Sequence, residues 1–353
     1  MAYTNIDVPS DYFSATLYTG DGSADQDMTG VGFKPDFLWI KRRNAGERHV
    51  LTTVQMGVDS GAYRWLDSSS THAKFSGGTG VESFDADGFT IKSSDATWNA
   101  SGSTYVAWSW KANGGTLTSN TDGDLRSVTN QKNTDAGFSS VYFLGGTEPY
   151  TAGHGLGVAP DVIISKRLGA TVDWFVYHKD VGEDKYLYLN TAGTVQSSST
   201  IAFTSVPTSS IITGGTYVGG STDYFINYCF ASKQGFSKFG SYQANANANG
   251  TFVYTGFKPA WVLRKSTVRS EPWMVMDNKR SPINGLGTIL DPSSDAGDAT
   301  TFPDYEIDFL SNGFKMRSGN TSYGNHTAGN IYIYMAFAEN PFTTSTGIPA
   351  TAR

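Results

Sequence analysis

The chain has one cysteine, Cys229, in 353 residues. It cannot close an intramolecular disulfide, build a zinc ribbon or hold an iron–sulfur cluster. Cys229 sits in the apolar run Tyr224–Phe230, where a small buried hydrophobe is expected. Charge is also scarce, at 16% of residues, and the balance is −6. An acidic chain without clustered Lys and Arg is a poor partner for nucleic-acid phosphates or an anionic membrane surface. No run approaches the roughly 18 apolar residues that span a bilayer. The opening Met1–Phe13 lacks a basic region followed by an apolar stretch, so no secretory leader is expected. Good helix formers are few, which argues against bundles, coiled coils and doubly wound folds.

Hydroxyls, turn formers and rings make up the difference. The chain carries 77 Ser and Thr, 40 Gly, 12 Pro, 21 Phe, 19 Tyr and 8 Trp. Strands favour Thr, Val and aromatic residues, and so much ring area demands a packed interior. An all-β fold is expected.

One pattern recurs three times. Phe-Ser at Phe13, Phe138 and Phe236 is followed 22, 22 and 23 residues later by Pro35, Pro160 and Pro259. A strand-like run follows each proline and ends in the basic pairs Lys41-Arg42, Lys166-Arg167 and Arg264-Lys265. Phe84-Asp85-Ala86-Asp87-Gly88-Phe89 returns as Phe309–Phe314 with Gly313, and degenerately around Phe203. Aromatic strands close each copy at Tyr105–Trp110, Phe225–Phe230 and Tyr332–Phe337. Matched landmarks of this kind mark an internal triplication. The reading is an N-terminal arm (1–10), three β copies (11–118, 136–232, 234–340), a polar connector (119–135) and a loosely held tail (341–353). Each copy should be a β-sandwich or jelly roll of about 100 residues with its own core. The prolines belong at strand starts. Asp87-Gly88 and Asn312-Gly313 predict two-residue hairpin turns with positive φ at glycine.

Several blocks resemble appendage proteins of tailed bacteriophages, particularly tail fibre or tail-associated proteins of marine phages. They are Gly30-Val31-Gly32-Phe33-Lys34-Pro35-Asp36, Tyr105-Val106-Ala107-Trp108-Ser109-Trp110-Lys111 and Ala336-Phe337-Ala338-Glu339-Asn340-Pro341-Phe342. The resemblance implies a virion protein made in the host cytoplasm, with other tail proteins and a host-surface glycan as partners, and a homo-oligomer, a trimer by analogy. It brings no catalytic residue. Three copies in one chain offer a rival, a threefold unit made by a single molecule.

Catalytic signatures are missing. There is no phosphate loop, dinucleotide fingerprint, nucleophile elbow or paired-histidine zinc motif. His49, His72, His154, His178 and His326 lie far apart. Asp85-Ala86-Asp87-Gly88 and Asp122-Gly123-Asp124 lack the ligand count of a calcium loop and read as turns. Glu47, Glu82, Glu148, Glu183 and Glu306 are the candidate carboxylates for glycoside hydrolysis, which depends on their spacing in space. No metal or cofactor is expected. Trp65, Trp98 and Trp273 fall outside the recurring strands and are the candidate sugar-stacking rings. Binding, if present, is expected in the loops 44–80, 168–200 and 266–305. The expected function is a non-enzymatic virion part that attaches to the host. The alternatives are a glycan depolymerase on the same scaffold and a head-surface decoration protein.

Overall fold

A computed structural model describes residues 2–125, 128–146, 150–220, 222–298, 306–319 and 323–349. These residues are all-β and antiparallel, with two single-turn 3-10 segments, Pro9–Asp11 and Val54–Met56, and no α-helix. Four strands recur in one order in three large sheets. The first sheet runs Phe13–Thr19, Thr104–Trp110, Phe37–Arg42, His49–Thr53, with Trp65–Asp67 added. The second runs Phe138–Leu144, Tyr224–Phe230, Val162–Arg167, Phe175–His178, and extends at both edges. The third runs Ser237–Gln243, Ile331–Pro341, Phe257–Ser266, Met274–Asp277. In each, an entering strand and the strand after the proline flank the aromatic closing strand. That central place explains why the closing strands are apolar on both faces.

A small sheet lies on one face of each large one. The first is Asp25–Met28, Gly88–Lys92 and Gly80–Asp85; the second is Tyr150–Gly153 and Ile211–Gly214; the third is Phe252–Tyr254, Gly313–Met316 and Ile307–Leu310. Each pair encloses a private core, with Phe84, Phe89 and Trp98 in the first, Phe143, Phe203 and Phe225 in the second, and Phe309, Phe314 and Tyr332 in the third. The opposite faces of all three large sheets meet in a fourth, shared core. There Phe37 stacks on Tyr228 at 4.2 Å, Phe13 on Phe337 at 5.0 Å, and Trp110 meets Trp261 edge-on at 5.9 Å. The expectation of self-sufficient copies is corrected at this point. Each copy buries one face alone, but the rings of its other face are covered by the other two copies. A fully buried ring is worth about 1.5–3 kcal/mol, so the shared core is a large part of the driving force.

The prolines keep one place. Phe37, Val162 and Trp261 lie across from Trp110, Phe230 and Phe337, and each stands two residues after its proline. Pro35 and Pro160 precede their strands, whereas Pro259 sits inside its strand at a bulge. The opposite neighbours are Phe13, Phe138 and Ser237. The third Phe-Ser is thus one position out of structural register, which accounts for its spacing of 23 rather than 22. Phe236 precedes the strand and still reaches the shared core.

Both hairpins form, but one residue earlier than the sequence suggested. Asp85 pairs with Gly88 and Leu310 with Gly313, so the turns are Ala86-Asp87 and Ser311-Asn312. Gly88 has φ +157°, and Gly313 is not in the positive-φ region. The positive φ expected at glycine is therefore met at Gly88 and not at Gly313, and both positions have a further reason for glycine. A Cβ on Gly88 would overlap the Met28 carbonyl oxygen, and one on Gly313 that of Val253. The neighbouring strand's backbone passes too close for any side chain.

The connector is not a loose linker. Thr118–Asn120 and Val128–Asn133 form two strands on the edge of the second sheet. The arm and tail are also held. Ile6 is buried in the shared core, the Thr4 hydroxyl donates to the Gln234 carbonyl at 2.8 Å, and Asp7 accepts from the Ser345 N–H at 2.6 Å. Thr343 and Pro349 form a bridge that ties back the described part of the tail.

Candidate functional site

The seams between copies position the surface, so they come first. Lys41, Lys166 and Lys265 each stand four residues after the position opposite the closing aromatic ring, and all three are fully buried. The reversed order Arg264-Lys265 leaves the lysine in place and turns the arginine onto the private face beside Met316. Lys41 Nζ donates to the Asp295 carbonyl at 3.0 Å, Lys166 Nζ to that of Thr71 at 2.9 Å, and Lys265 Nζ to that of Ala192 at 3.0 Å. The first copy therefore reaches the third, the second the first, and the third the second, which closes a ring within one chain. Burial pulls all three ammonium groups down to about 8. The lysine of each basic pair is thus an inter-copy clamp on a backbone carbonyl, whereas Arg42, Arg167 and Arg264 contact groups of their own copies.

The seam of the first and third copies carries a further ionic cluster. Arg280 Nε lies 2.6 Å from Asp277 and its Nη1 2.9 Å from Asp298, while Arg43 Nε approaches Asp298 at 2.8 Å. Trp108 Nε1 donates to Asp277 at 3.1 Å. A buried carboxylate pair with matched guanidinium donors satisfies charges that would otherwise be prohibitive. These side chains are committed to one another across the seam.

Among the described residues Phe252 and Tyr254 are the most exposed aromatic pair, at 44% and 48% exposed. They alternate with buried Val253 on the small-sheet strand Phe252–Tyr254, so both rings face outward. A groove of about 390 Å³ runs beside them between the second and third copies, walled by Lys179, Asp180, Lys238 and Tyr334. Lys238 Nζ lies 5.2 Å from the centre of the Tyr254 ring and donates to the Tyr254 carbonyl at 2.9 Å. Burial, and then the charge of Lys179, lowers the Lys238 ammonium below its usual range. Tyr3 extends the ring surface, since its hydroxyl donates to the Gly256 carbonyl at 2.7 Å and lies 3.3 Å from that of Tyr254. Phe342 packs on Tyr3 at 6.2 Å. Outward rings beside donor cations can stack on the apolar face of a sugar and hydrogen-bond its hydroxyls.

The tryptophans singled out in the sequence are elsewhere. Trp65, Trp98 and Trp273 are 6%, 1% and 2% exposed, and none can reach a sugar. Trp65 stacks on Phe75 at 4.1 Å and meets Trp98 at 5.5 Å in the first private core; Trp273 lies in the shared core. The three loops expected to bind carry Thr71, Ala192 and Asp295, the carbonyls that the buried lysines clamp. A sequence signal for this was present but weak, in Leu66-Asp67-Ser68-Ser69, Leu189-Asn190-Thr191 and Leu290-Asp291-Pro292-Ser293.

The candidate acids are not gathered. Glu47 faces Arg42 at 3.9 Å and the Thr97 hydroxyl at 3.2 Å, and Glu82 faces Lys92 at 3.4 Å. Glu183 is exposed on a turn, Glu306 precedes the strand Ile307–Leu310, and Glu148 lies outside the described residues. Asp87 is committed to the N–H groups of Gly30 at 3.0 Å and Gly32 at 2.6 Å, and Asp124 accepts from the Thr151 hydroxyl at 3.0 Å. Among the described residues no three His, Cys, Asp or Glu side chains converge as metal ligands. His49, His154 and His178 are buried, and burial lowers all three, His178 to about 4. Cys229 is buried and its thiol is pushed up by desolvation. Among the described residues no helix is long and apolar enough to cross a membrane.

Fold and surface together define an all-β protein of three large sheets around one shared core, with an aromatic groove at a seam. The chain belongs to the family described as a domain of unknown function, DUF7483, which matches residues 8–341. No curated protein and no solved structure matches the chain.

Proposed function

We propose that this chain is a non-enzymatic structural component of a tailed-phage virion, a tail fibre or tail-tip part that holds a host-surface glycan at the Phe252–Tyr254 groove. The observation that carries the reading is the outward aromatic pair beside Lys238 and Lys179, on a scaffold whose other large rings are mostly packed away. The phage-like blocks named above support the setting. The internal ring of lysine clamps supports a single molecule acting as a threefold unit, in place of a trimer.

Two measurements test it together. Particles purified by density gradient should contain the chain among their tail components, and its presence on the head would favour a decoration role. The isolated protein should bind host-surface polysaccharide without releasing reducing ends. Phe252→Ala with Tyr254→Ala should weaken binding at least tenfold, since stacking contacts of this kind are worth about 1–2 kcal/mol. Reducing ends that accumulate with time would overturn the non-enzymatic reading.

A further inference from the structure

The entering strand forms an outer edge in each large sheet, and the three edges are treated differently. In the first sheet the Lys111 N–H donates to the Tyr12 carbonyl at 3.0 Å and the Gly20 N–H to that of Ser103 at 2.8 Å. Alternation then turns the main-chain groups of Ser14, Thr16 and Tyr18 toward the closing strand and those of Phe13, Ala15 and Leu17 outward. The matching outward positions are Phe138, Ser140 and Tyr142 in the second sheet and Ser237, Phe239 and Ser241 in the third, from the shared register.

In the second sheet the connector strand Val128–Asn133 pairs along this edge. The previous copy holds it there: Gln131 Nε2 donates to Asp36 at 2.6 Å, and Gln55 Nε2 to the Thr129 carbonyl at 3.0 Å and the Ser140 carbonyl at 3.1 Å. In the third sheet the chain arriving from the second copy folds over the edge. Lys233 and Ser237 exchange N–H···O bonds of 3.0 and 2.9 Å, and the Phe239 N–H donates to the Ser232 hydroxyl at 3.2 Å. Asp161 of the previous copy fixes that cover through the Ser232 N–H at 2.8 Å. Lys238 adds a charge to this edge.

The first sheet has neither device. Among the described residues nothing pairs with the outward groups of Phe13, Ala15 and Leu17. Phe13-Ser14-Ala15-Thr16-Leu17-Tyr18-Thr19 contains no charge and no proline, so it lacks the usual guards of a free edge. The arriving chain turns away through Pro9–Asp11. A groove of about 320 Å³ lies along Phe13–Ala15, with Ala260, Asn278 and Lys279 of the third copy across from it. Ala260 follows its proline as Asp36 and Asp161 follow theirs, so the acid that fastens the cover in the other two seams is missing here.

We propose that Phe13–Leu17 is a strand-acceptor site, at which an extended segment of a partner protein adds antiparallel to the first sheet. It would take the place that Val128–Asn133 takes on the second. Asn278 and Lys279 wall the far side of the groove that the added strand would enter. The chain's own connector gives the occupant's chemistry, a short polar and β-branched strand without acidic residues, bound mainly through its backbone.

The test uses the full chain and a capped peptide, Val-Thr-Asn-Gln-Lys-Asn, with variants carrying Ala, Ser or Val at the Gln position. Amide hydrogen exchange reads the edge directly. The Phe13, Ala15 and Leu17 amides should exchange fast in the free chain and slow at least tenfold under millimolar peptide. Ala15→Pro removes one outward N–H and spares the inward ladder. Leu17→Lys adds an edge charge. Each should abolish the slowing while leaving the melting temperature within a few degrees. Unchanged exchange with every peptide overturns the proposal. So do amides already protected in the dilute free chain, or protection that grows with protein concentration alone, which would mean that a second molecule covers the edge.

Discussion

Gly313 illustrates how a side chain can be excluded by a neighbour's backbone and not by its own dihedral angles, while at Gly88 a positive φ and a close backbone act together. Gly88→Ala must push aside the strand that ends at Met28, and overpacking of that kind costs about 1–3 kcal/mol. Chemical denaturation should show a loss in this range, and Gly313→Ala a similar one. The buried lysines act through charge. Their folded pKa of about 8 lies below the ordinary 10.5, so the unfolded chain binds more protons between those values. Stability should therefore rise as pH goes from 8 to 10, with the neutral amines still donating to their carbonyls. Melting temperature against pH checks this, and Lys166→Met should flatten the rise. The buried histidines set the acid limb. With His178 held to about 4 against an ordinary 6.5, the unfolded chain takes up protons that the fold refuses, and stability should fall as pH drops from 6.5 to 4. His49 and His154 act in the same direction; Asp36 and Asp291, raised by burial, act in the opposite direction just above 3.8.

The connector shows an element whose structure comes from what it lands on. Residues 113–134 have the composition of a polar loop, yet Asp36 receives the N–H groups of Ala112 at 2.6 Å, Gly114 at 3.0 Å and Gly115 at 2.6 Å besides Gln131. That carboxylate is buried and gathers the chain into the strand that covers the second sheet. Asp36→Ala would leave four donors unpaired, two of them buried, and should destabilise by about 3 kcal/mol. Hydrogen exchange should then show Val128–Asn133 opening before the rest of its sheet. The absence of such an acid at Ala260 is the same argument in reverse and is why the first edge stays open.

For the whole molecule, the shared core makes the three copies one cooperative unit. Calorimetry should give a single unfolding transition with calorimetric and van't Hoff enthalpies in agreement, not three. The segment 136–232 alone should fail to fold, because its Tyr228, Phe230 and Trp174 would be left facing water. The lysine ring adds direction, since each clamp joins a copy to the one before it and the first joins back to the last.

The sequence by itself determined the fold class, the strands around Pro35, Pro160 and Pro259, the central place of the closing strands and the burial of Cys229. These follow from local propensity and period, which a linear chain records. Trp65, Trp98 and Trp273 were misread because a ring's exposure depends on which surface covers it, and composition does not show that. The role of the lysines was not legible in the sequence because their partners are carbonyls in another copy, between 73 and 254 residues away. The aromatic groove at Phe252 and Tyr254 and the bare edge at Phe13–Leu17 were likewise invisible, since each is defined by what the neighbouring copy does or does not place against it. Only the closing of three sheets around one core decided those, because that packing fixes which faces and edges are left to water.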